Sequence, residues 1–232
     1  MLPDPAQGMF DDRKKYDALL NRGLAVSGED KHYFLSGRVD DLKAQLGEAR
    51  RPRRILDFGC GVGDTTHYLA QCFPDSEVMG VDPVQAAIED AKRRYASGRV
   101  SFQTADRIQA GCKFDLCYVN GVFHHIPPDS RVAVVRHIRD CLVDGGVLAL
   151  MENNPWNFGA MVVMKRIEFD RDSQVLSPLE TRRLLREGGF DQCESPRFLF
   201  YFPRPLAFLR AVEPWLVRVP LGAQYYFLAT KS

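Results

Sequence analysis

The sequence predicts an α/β protein, a mostly parallel sheet of seven strands with helices on both faces and two helices ahead of the first strand. Three observations carry this. The apolar run Ile55-Leu56-Asp57-Phe58 leads into glycines at 59, 61 and 63 and then into a helical pattern. From Arg53 onward, strand-length apolar runs alternate with segments of helical period. The runs also end on polar residues, at Asp57, Asp82, Asp106, Asn120 and Glu152. In a doubly wound sheet those positions fall at the carboxyl edge, where ligands bind.

The elements follow in order. Residues 1–9 read as a loose leader. A helix is expected from Phe10 to about Val26, with Tyr16, Leu19 and Leu20 on one side, and it is broken at Ser27-Gly28-Glu29-Asp30. A second starts near Lys31 and repeats Leu35, Val39, Leu42 and Leu46 at helical spacing. The basic stretch Arg50-Arg51-Pro52-Arg53-Arg54 is a solvated loop into the sheet. Further strands are expected at Glu77–Asp82, Val100–Asp106, Phe114–Asn120 and Gly145–Glu152. One intervening helix shows Val84, Ala87, Ile88, Ala91 and Tyr95 on a face, and another shows Val132, Val135, Ile138 and Leu142. Ser177-Pro178-Leu179-Glu180 is a capping box with proline at the first helical position, and Gly188-Gly189 stops that helix. Strand six is expected within Arg197–Phe202 and strand seven within Gln224–Ala229, with an inserted helix at about Leu206–Leu216.

Composition narrows the class. With 232 residues, 45% of them hydrophobic, the chain can bury one sizeable core, and 1–232 reads as a single domain. Within it, 10–50 would form a helical cap, 53–153 the ligand-binding core, and 154–232 an acceptor-side insertion with the last strands. A net charge of +1 argues against nucleic acid as partner. The cysteines at 60, 72, 112, 117, 141 and 193 form no C-x-x-C pair, which points to a reduced, cytoplasmic setting with no disulfide framework. No signal peptide is evident at Met1-Leu2-Pro3-Asp4-Pro5. The charge-free run Val219–Thr230 is too short for a bilayer span of ~20 residues. A monomer or homodimer is expected.

Glycine at 59, 61 and 63 allows a sharp turn and close approach of the backbone to a ligand. A dinucleotide-binding G-x-G-x-x-G would need glycine where Asp64 stands. Asp57 beside the loop repels a pyrophosphate but suits a ligand carrying an ammonium and a sulfonium. Taken with the strands ending at Asp82, Asp106, Asn120 and Glu152, the pattern resembles the class I S-adenosylmethionine (SAM)-dependent methyltransferases, and those of bacterial small-molecule type.

That resemblance implies a Rossmann-like fold and SAM as cofactor. It also implies roles: Asp57 for the amino group of the methionine portion, and Gly59 and Gly61 lining it by backbone. Asp82, followed by Pro83, would take the ribose diol. Asp106 would meet the adenine amino group, with Arg107 beside the ring. Asn120 would face the methionine portion, and Arg38 would pair its carboxylate. Plainer readings stay open: Asp106 caps a turn, Asn120 is a turn residue and Arg38 a surface one.

Methyl transfer to a hydroxyl needs a group that takes its proton. His124 and His125 sit after the fourth strand at the mouth of the expected site and are the candidate bases. A packing role for one of them is equally open. The polar and aromatic segment Glu152-Asn153-Asn154-Pro155-Trp156-Asn157-Phe158, with the downstream Phe169-Asp170, resembles bacterial methyltransferases that read similarly here, and the resemblance implies a substrate-side insertion. Glu152, Asn153, Trp156 and Tyr33 are its candidate acceptor contacts. Aromatics concentrate late in the chain, at Phe198, Phe200, Tyr201, Phe202, Phe208, Trp215, Tyr225, Tyr226 and Phe227. An acceptor pocket is expected there. No His/Cys set has metal spacing, so the expected chemistry is metal-independent O-methylation of a sugar, lipid-linked or secondary-metabolite hydroxyl. Nitrogen or carbon acceptors, and a catalytically silent partner subunit, are the alternatives.

Overall fold

Successive residues of a strand point to opposite faces. In the strand Arg54–Phe58 (β1), Ile55 accordingly packs into one hydrophobic cluster and Leu56 into another. The computed structural model describes residues 13–108, 113–167, 170–171 and 173–232. Around β1 lie Glu77–Asp82 (β2), Val100–Thr104 (β3), Phe114–Asn120 (β4) and Leu142–Asn153 (β5), all parallel. The sheet order is β3-β2-β1-β4-β5, continued by the antiparallel strand Gln224–Thr230 (β8). The order reverses between β1 and β4, and the cleft of such a sheet opens there.

Both faces are covered, which is why these strands read as nearly continuous apolar runs. One face carries Lys31–Leu46 (α2), Asp64–Cys72 (α3) and Gln85–Tyr95 (α4), which bury Val39 and Leu42, Leu69, and Ile88 and Ala91. The other carries Pro128–Cys141 (α5) and Pro178–Glu187 (α7), with Val135, Ile138, Leu184 and Leu185 buried. The capping box at Ser177 and Glu180 forms as read.

Four details differ from the sequence reading. Among the described residues the sheet has eight strands, because the sixth divides into Gln192–Cys193 (β6) and Arg197–Leu199 (β7), both paired with β8. Pro196 lies between them and has no amide to donate to a ladder. The inserted helix is a 3₁₀ segment, Arg204–Trp215, broken at Leu206 and containing Pro214. The third strand ends at Thr104, and Asp106 falls in a 3₁₀ turn, Ala105–Arg107. The first helix, Arg13–Leu24 (α1), passes into a 3₁₀ turn at Ala25–Ser27. The expected leader, residue 10 and Phe169 lie outside the described residues.

The early helices and the late segments meet over the cleft. A Cβ at Gly23 of α1 would stand 2.4 Å from Cγ1 of Ile167, just past the helix Phe158–Arg166 (α6). Arg197 donates to Asp41 of α2 at 2.8 and 2.9 Å, and Arg210 to Glu29 at 2.8 Å. Among the described residues, no helix is long and apolar enough to cross a membrane.

Candidate active site

The loop between β1 and α3 is built on glycine. Gly59, Gly61 and Gly63 have φ of 80°, 52° and 84°, a region that side chains other than glycine rarely adopt. The amides of Gly59 and Cys60 both donate to the Val81 carbonyl, at 2.8 and 2.9 Å, which locks the loop to β2. A Cβ on Gly63 would lie 2.8 Å from Ala91 and Phe102, whereas one on Gly61 would meet nothing within 4 Å. Gly61 faces a cavity of about 1210 Å³ at the carboxyl edge of the sheet.

Asp57, Asp82, Pro83, Gly59, Asn120 and Arg38 line the same cavity. The Asp57 carboxylate accepts from the Thr66 hydroxyl at 2.6 Å. Burial pushes its pKa up to about 7, the Thr66 hydrogen bond opposes this, and the nearby Asp82 adds to it. A buried acid hydrogen-bonded to a neutral hydroxyl suits a cationic ligand. Asp82 accepts from the amides of Gly61 at 2.9 Å and Val84 at 3.0 Å, which fixes its carboxylate at the end of β2.

Among the described residues, four buried polar atoms have no hydrogen-bond partner: Arg38 Nε, Tyr118 OH, Asn120 Oδ1 and Tyr201 OH. All four residues line the cavity. Leaving such groups unpaired costs about 1–3 kcal/mol each, so their grouping marks a place for a polar ligand. Arg38 is held from behind, donating to Gln224 at 3.1 Å, and Gln224 donates to Asn153 at 2.9 Å. The set matches an amino-acid headgroup: guanidinium and phenol for a carboxylate, amide oxygen and Asp57 for an ammonium. The residues present therefore fit the methionine end of SAM.

At the mouth lies a second polar group. His124 Nδ1 is 2.6 Å from Glu152 Oε2, and its Nε2 is 3.3 Å from Asp170 Oδ1. Burial disfavours a charged ring, yet the two carboxylates outweigh it and raise the His124 pKa to about 10. His125 Nε2 also stands 3.3 Å from Asp170 Oδ1, and its side chain is 37% exposed. Burial alone would raise the Asp170 pKa, but the hydrogen bonds from both histidines hold it low. The donor atoms of His124, His125 and Asp170 lie within 4.8 Å of one another, a spacing compatible with a metal ion. The sequence reading found no metal-spaced set because Asp170 comes from far along the chain and only folding brings it to the histidine pair.

Other candidates fall elsewhere. Glu152 is fully buried beneath the mouth, where Oε1 accepts the Phe123 amide at 2.8 Å, so it holds the histidine turn and does not reach the cavity. Trp156 is 44% exposed and does not line the cavity. Tyr33 packs under the Arg210 guanidinium, 4.6 Å from the ring centre, and is absent from the lining. Asp106 and Arg107 are exposed in their 3₁₀ turn, with Ala105 alone of that turn on the cavity. Asn153 is on the lining. Tyr118, Gln224 and Thr66 were missed, and Tyr201 was named only among the late aromatics of the expected acceptor pocket. Within their runs they read as strand, aromatic-cluster or helix residues, and only the fold turns their polar tips inward.

Residues 56–148 match the family model described as a methyltransferase domain. The stretch from β1 into β5 is thus similar to a methyltransferase domain. A trans-aconitate 2-methyltransferase of Methylobacterium radiotolerans is 36% identical over 43% of this chain and 37% of its own length. That of Deinococcus radiodurans is 33% identical over 51% and 46%. The chain thus spans less than half the length of these relatives. In fold, the chain resembles human N-acetylserotonin methyltransferase in complex with SAM, with a TM-score of 0.67 and 14% identity over 100% of this chain and 60% of that one. A SAM-dependent methyltransferase of Thermotoga maritima gives a TM-score of 0.67 at 18% identity, over 97% and 99%.

Proposed function

We propose that this protein transfers a methyl group from SAM to a hydroxyl of an apolar small molecule, with His125 taking the proton. When bound, SAM supplies a methyl carbon already activated by positive sulfur. The protein's part is to hold, orient and deprotonate. Arg38, Tyr118, Asn120 and Asp57 would grip the methionine end, Gly59 and Gly61 would admit it, and Asp82 would take the ribose. Such positioning accounts for much of the acceleration of a two-substrate displacement.

The acceptor end is walled by Leu20, Leu24, Val163, Met164, Ile167 and Phe202. That lining supports an isoprenoid- or polyketide-like acceptor over a sugar. The relatives are named for trans-aconitate, whose carboxylates would call for cations. Here Lys31 on the lining donates to Asp64 at 2.6 Å, and Arg38 lies toward the methionine end.

The observation that carries the reading is the His125–Asp170 pair opening on this apolar chamber. As the hydroxyl attacks, its proton passes to the His125 imidazole, and the Asp170 carboxylate steadies the imidazolium. His124, already charged between two carboxylates, has no capacity to accept a proton and serves to place the turn. The reading includes a reducing, cytoplasmic setting, in keeping with the free thiols of Cys60, Cys72, Cys117, Cys141 and Cys193. Incubation with methyl-labelled SAM and a panel of hydroxylated isoprenoids and aromatic polyketides tests it. Label is expected on oxygen, with kcat of His125→Ala reduced about 10²-fold or more and SAM affinity retained. Label on polar carboxylic acids alone would overturn it.

A further inference from the structure

The 3₁₀ segment Arg204–Trp215 is amphipathic in the inverted sense. Its central charges turn inward: Arg210 donates to Glu29 and to the Phe202 carbonyl at 2.8 to 3.1 Å, and Glu213 accepts the Phe202 amide at 2.7 Å. Every exposed residue from Pro205 to Trp215 is uncharged. Phe208 is 74% exposed and Trp215 is 86% exposed, with Leu206 and Val212 also open to solvent. Past the break at Leu206, residues three apart share a face of a 3₁₀ helix, so Leu209, Val212 and Trp215 form one stripe, beside the stripe carrying Phe208. A continuous apolar face of this kind on a protein surface marks an interaction site.

What covers it is indicated by its surroundings. Arg204 and Arg218 flank the face, both exposed, and neither pairs with a carboxylate among the described residues. A rim of cations around exposed tryptophan and phenylalanine suits an anionic lipid interface, where aromatic rings sit at headgroup depth and arginines meet phosphates. The segment also adjoins the cavity along the chain, since Phe202 and Pro203 precede it, Leu221 follows it, and all three are on the lining. An amphiphile resting in the outer part of a bilayer would reach the chamber without crossing water.

We infer that the Arg204–Trp215 face docks on an anionic lipid bilayer and admits a membrane-resident acceptor to the cavity. The second part rests on the apolar-acceptor reading, but the docking itself does not.

The test is flotation of the full chain with vesicles of phosphatidylcholine alone or mixed with phosphatidylglycerol, without SAM or acceptor. Binding is expected on the anionic vesicles and should weaken as salt rises. The double variant Phe208→Glu/Trp215→Glu should lower partitioning at least tenfold, and Arg204→Gln/Arg218→Gln should erase the preference for phosphatidylglycerol. Unchanged SAM affinity in these variants verifies the fold. Wild-type protein that stays with the aqueous phase would overturn the docking. So would a concentration-dependent dimer that Trp215→Glu dissociates, because the face would then belong to a second copy. Vesicle binding with methyl transfer only to water-soluble acids would keep the docking and sink the acceptor class.

Discussion

Nδ1 of His124 stands 2.6 Å from Oε2 of Glu152, in a pair whose side chains are 2% and 0% exposed. Removing one partner of a buried ion pair strands the other charge and typically costs 3–5 kcal/mol. His124→Ala should therefore lower the melting temperature by about 10 °C, at ~2–4 °C per kcal/mol for a domain of this size. The pH dependence gives a second readout. The folded pKa of His124 is about 10 against 6.5 for the unfolded group, so its contribution is fully present below 6.5 and lost as pH rises through 10. Wild-type protein should lose stability across that window and His124→Ala should lose much less. Identical slopes in differential scanning calorimetry would mean that the imidazolium is not held by Glu152.

The same proton bears on metals. His124, His125 and Asp170 offer donor atoms within 4.8 Å, but a divalent ion would have to displace the proton that two carboxylates hold on His124. Turnover is expected to persist in excess chelator. Loss of activity that zinc or magnesium restores would make the three residues ligands and reassign His125.

Asp57 presents a trade-off between stability and binding. Its folded pKa of about 7 lies above the ordinary 3.8 of the unfolded group, so the folded state holds a proton that the unfolded chain releases between those values. Stability from this group is complete below 3.8 and lost as pH rises to 7, where the carboxylate is buried and charged. Asp57→Asn should raise the melting temperature at pH 8, and raise it less near pH 5. SAM affinity, read by calorimetry, should fall at least tenfold, because the ammonium loses its counter-charge. A variant that is destabilised at pH 8 would show that another group neutralises the carboxylate.

The sheet was legible because parallel strands covered on both faces must be apolar at nearly every position and must stop at the ligand edge. Asp57, Asp82 and Asn120 could thus be placed from the chain alone. The glycine loop was legible for a similar local reason, since positive φ at alternate positions selects glycine. The acceptor side was not, because its geometry depends on contacts between distant segments. Asp170 joins His125 only after α6 folds back, and Glu152 points beneath the turn because strand alternation sends it there. The late aromatics illustrate the same limit. Phe200, Tyr201 and Phe202 reach the cavity, Phe198 and Tyr225–Phe227 pack in the sheet core, and Phe208 and Trp215 face out. Composition marks such a cluster without dividing it.

Two glycines of one loop should fail in different ways. At Gly63, φ is 84° and a Cβ would press on Ala91 and Phe102 at 2.8 Å, both part of the packed face under α4. Backbone strain and overpacking together should cost Gly63→Ala about 2–4 kcal/mol, seen as an earlier urea midpoint. At Gly61 the φ of 52° lies in the small left-handed region that side chains tolerate at modest cost, and the added methyl meets nothing within 4 Å. Its stability should fall by only about 1 kcal/mol. That methyl, however, enters the cavity beside Asp57 and Asp82, where the ligand backbone must approach. Gly61→Ala should therefore keep its fold and lose SAM affinity by an order of magnitude or more in calorimetry. If instead Gly61→Ala binds SAM as the wild type does, the cofactor cannot lie against this loop, and the assignment of the cavity's deep end must be reversed.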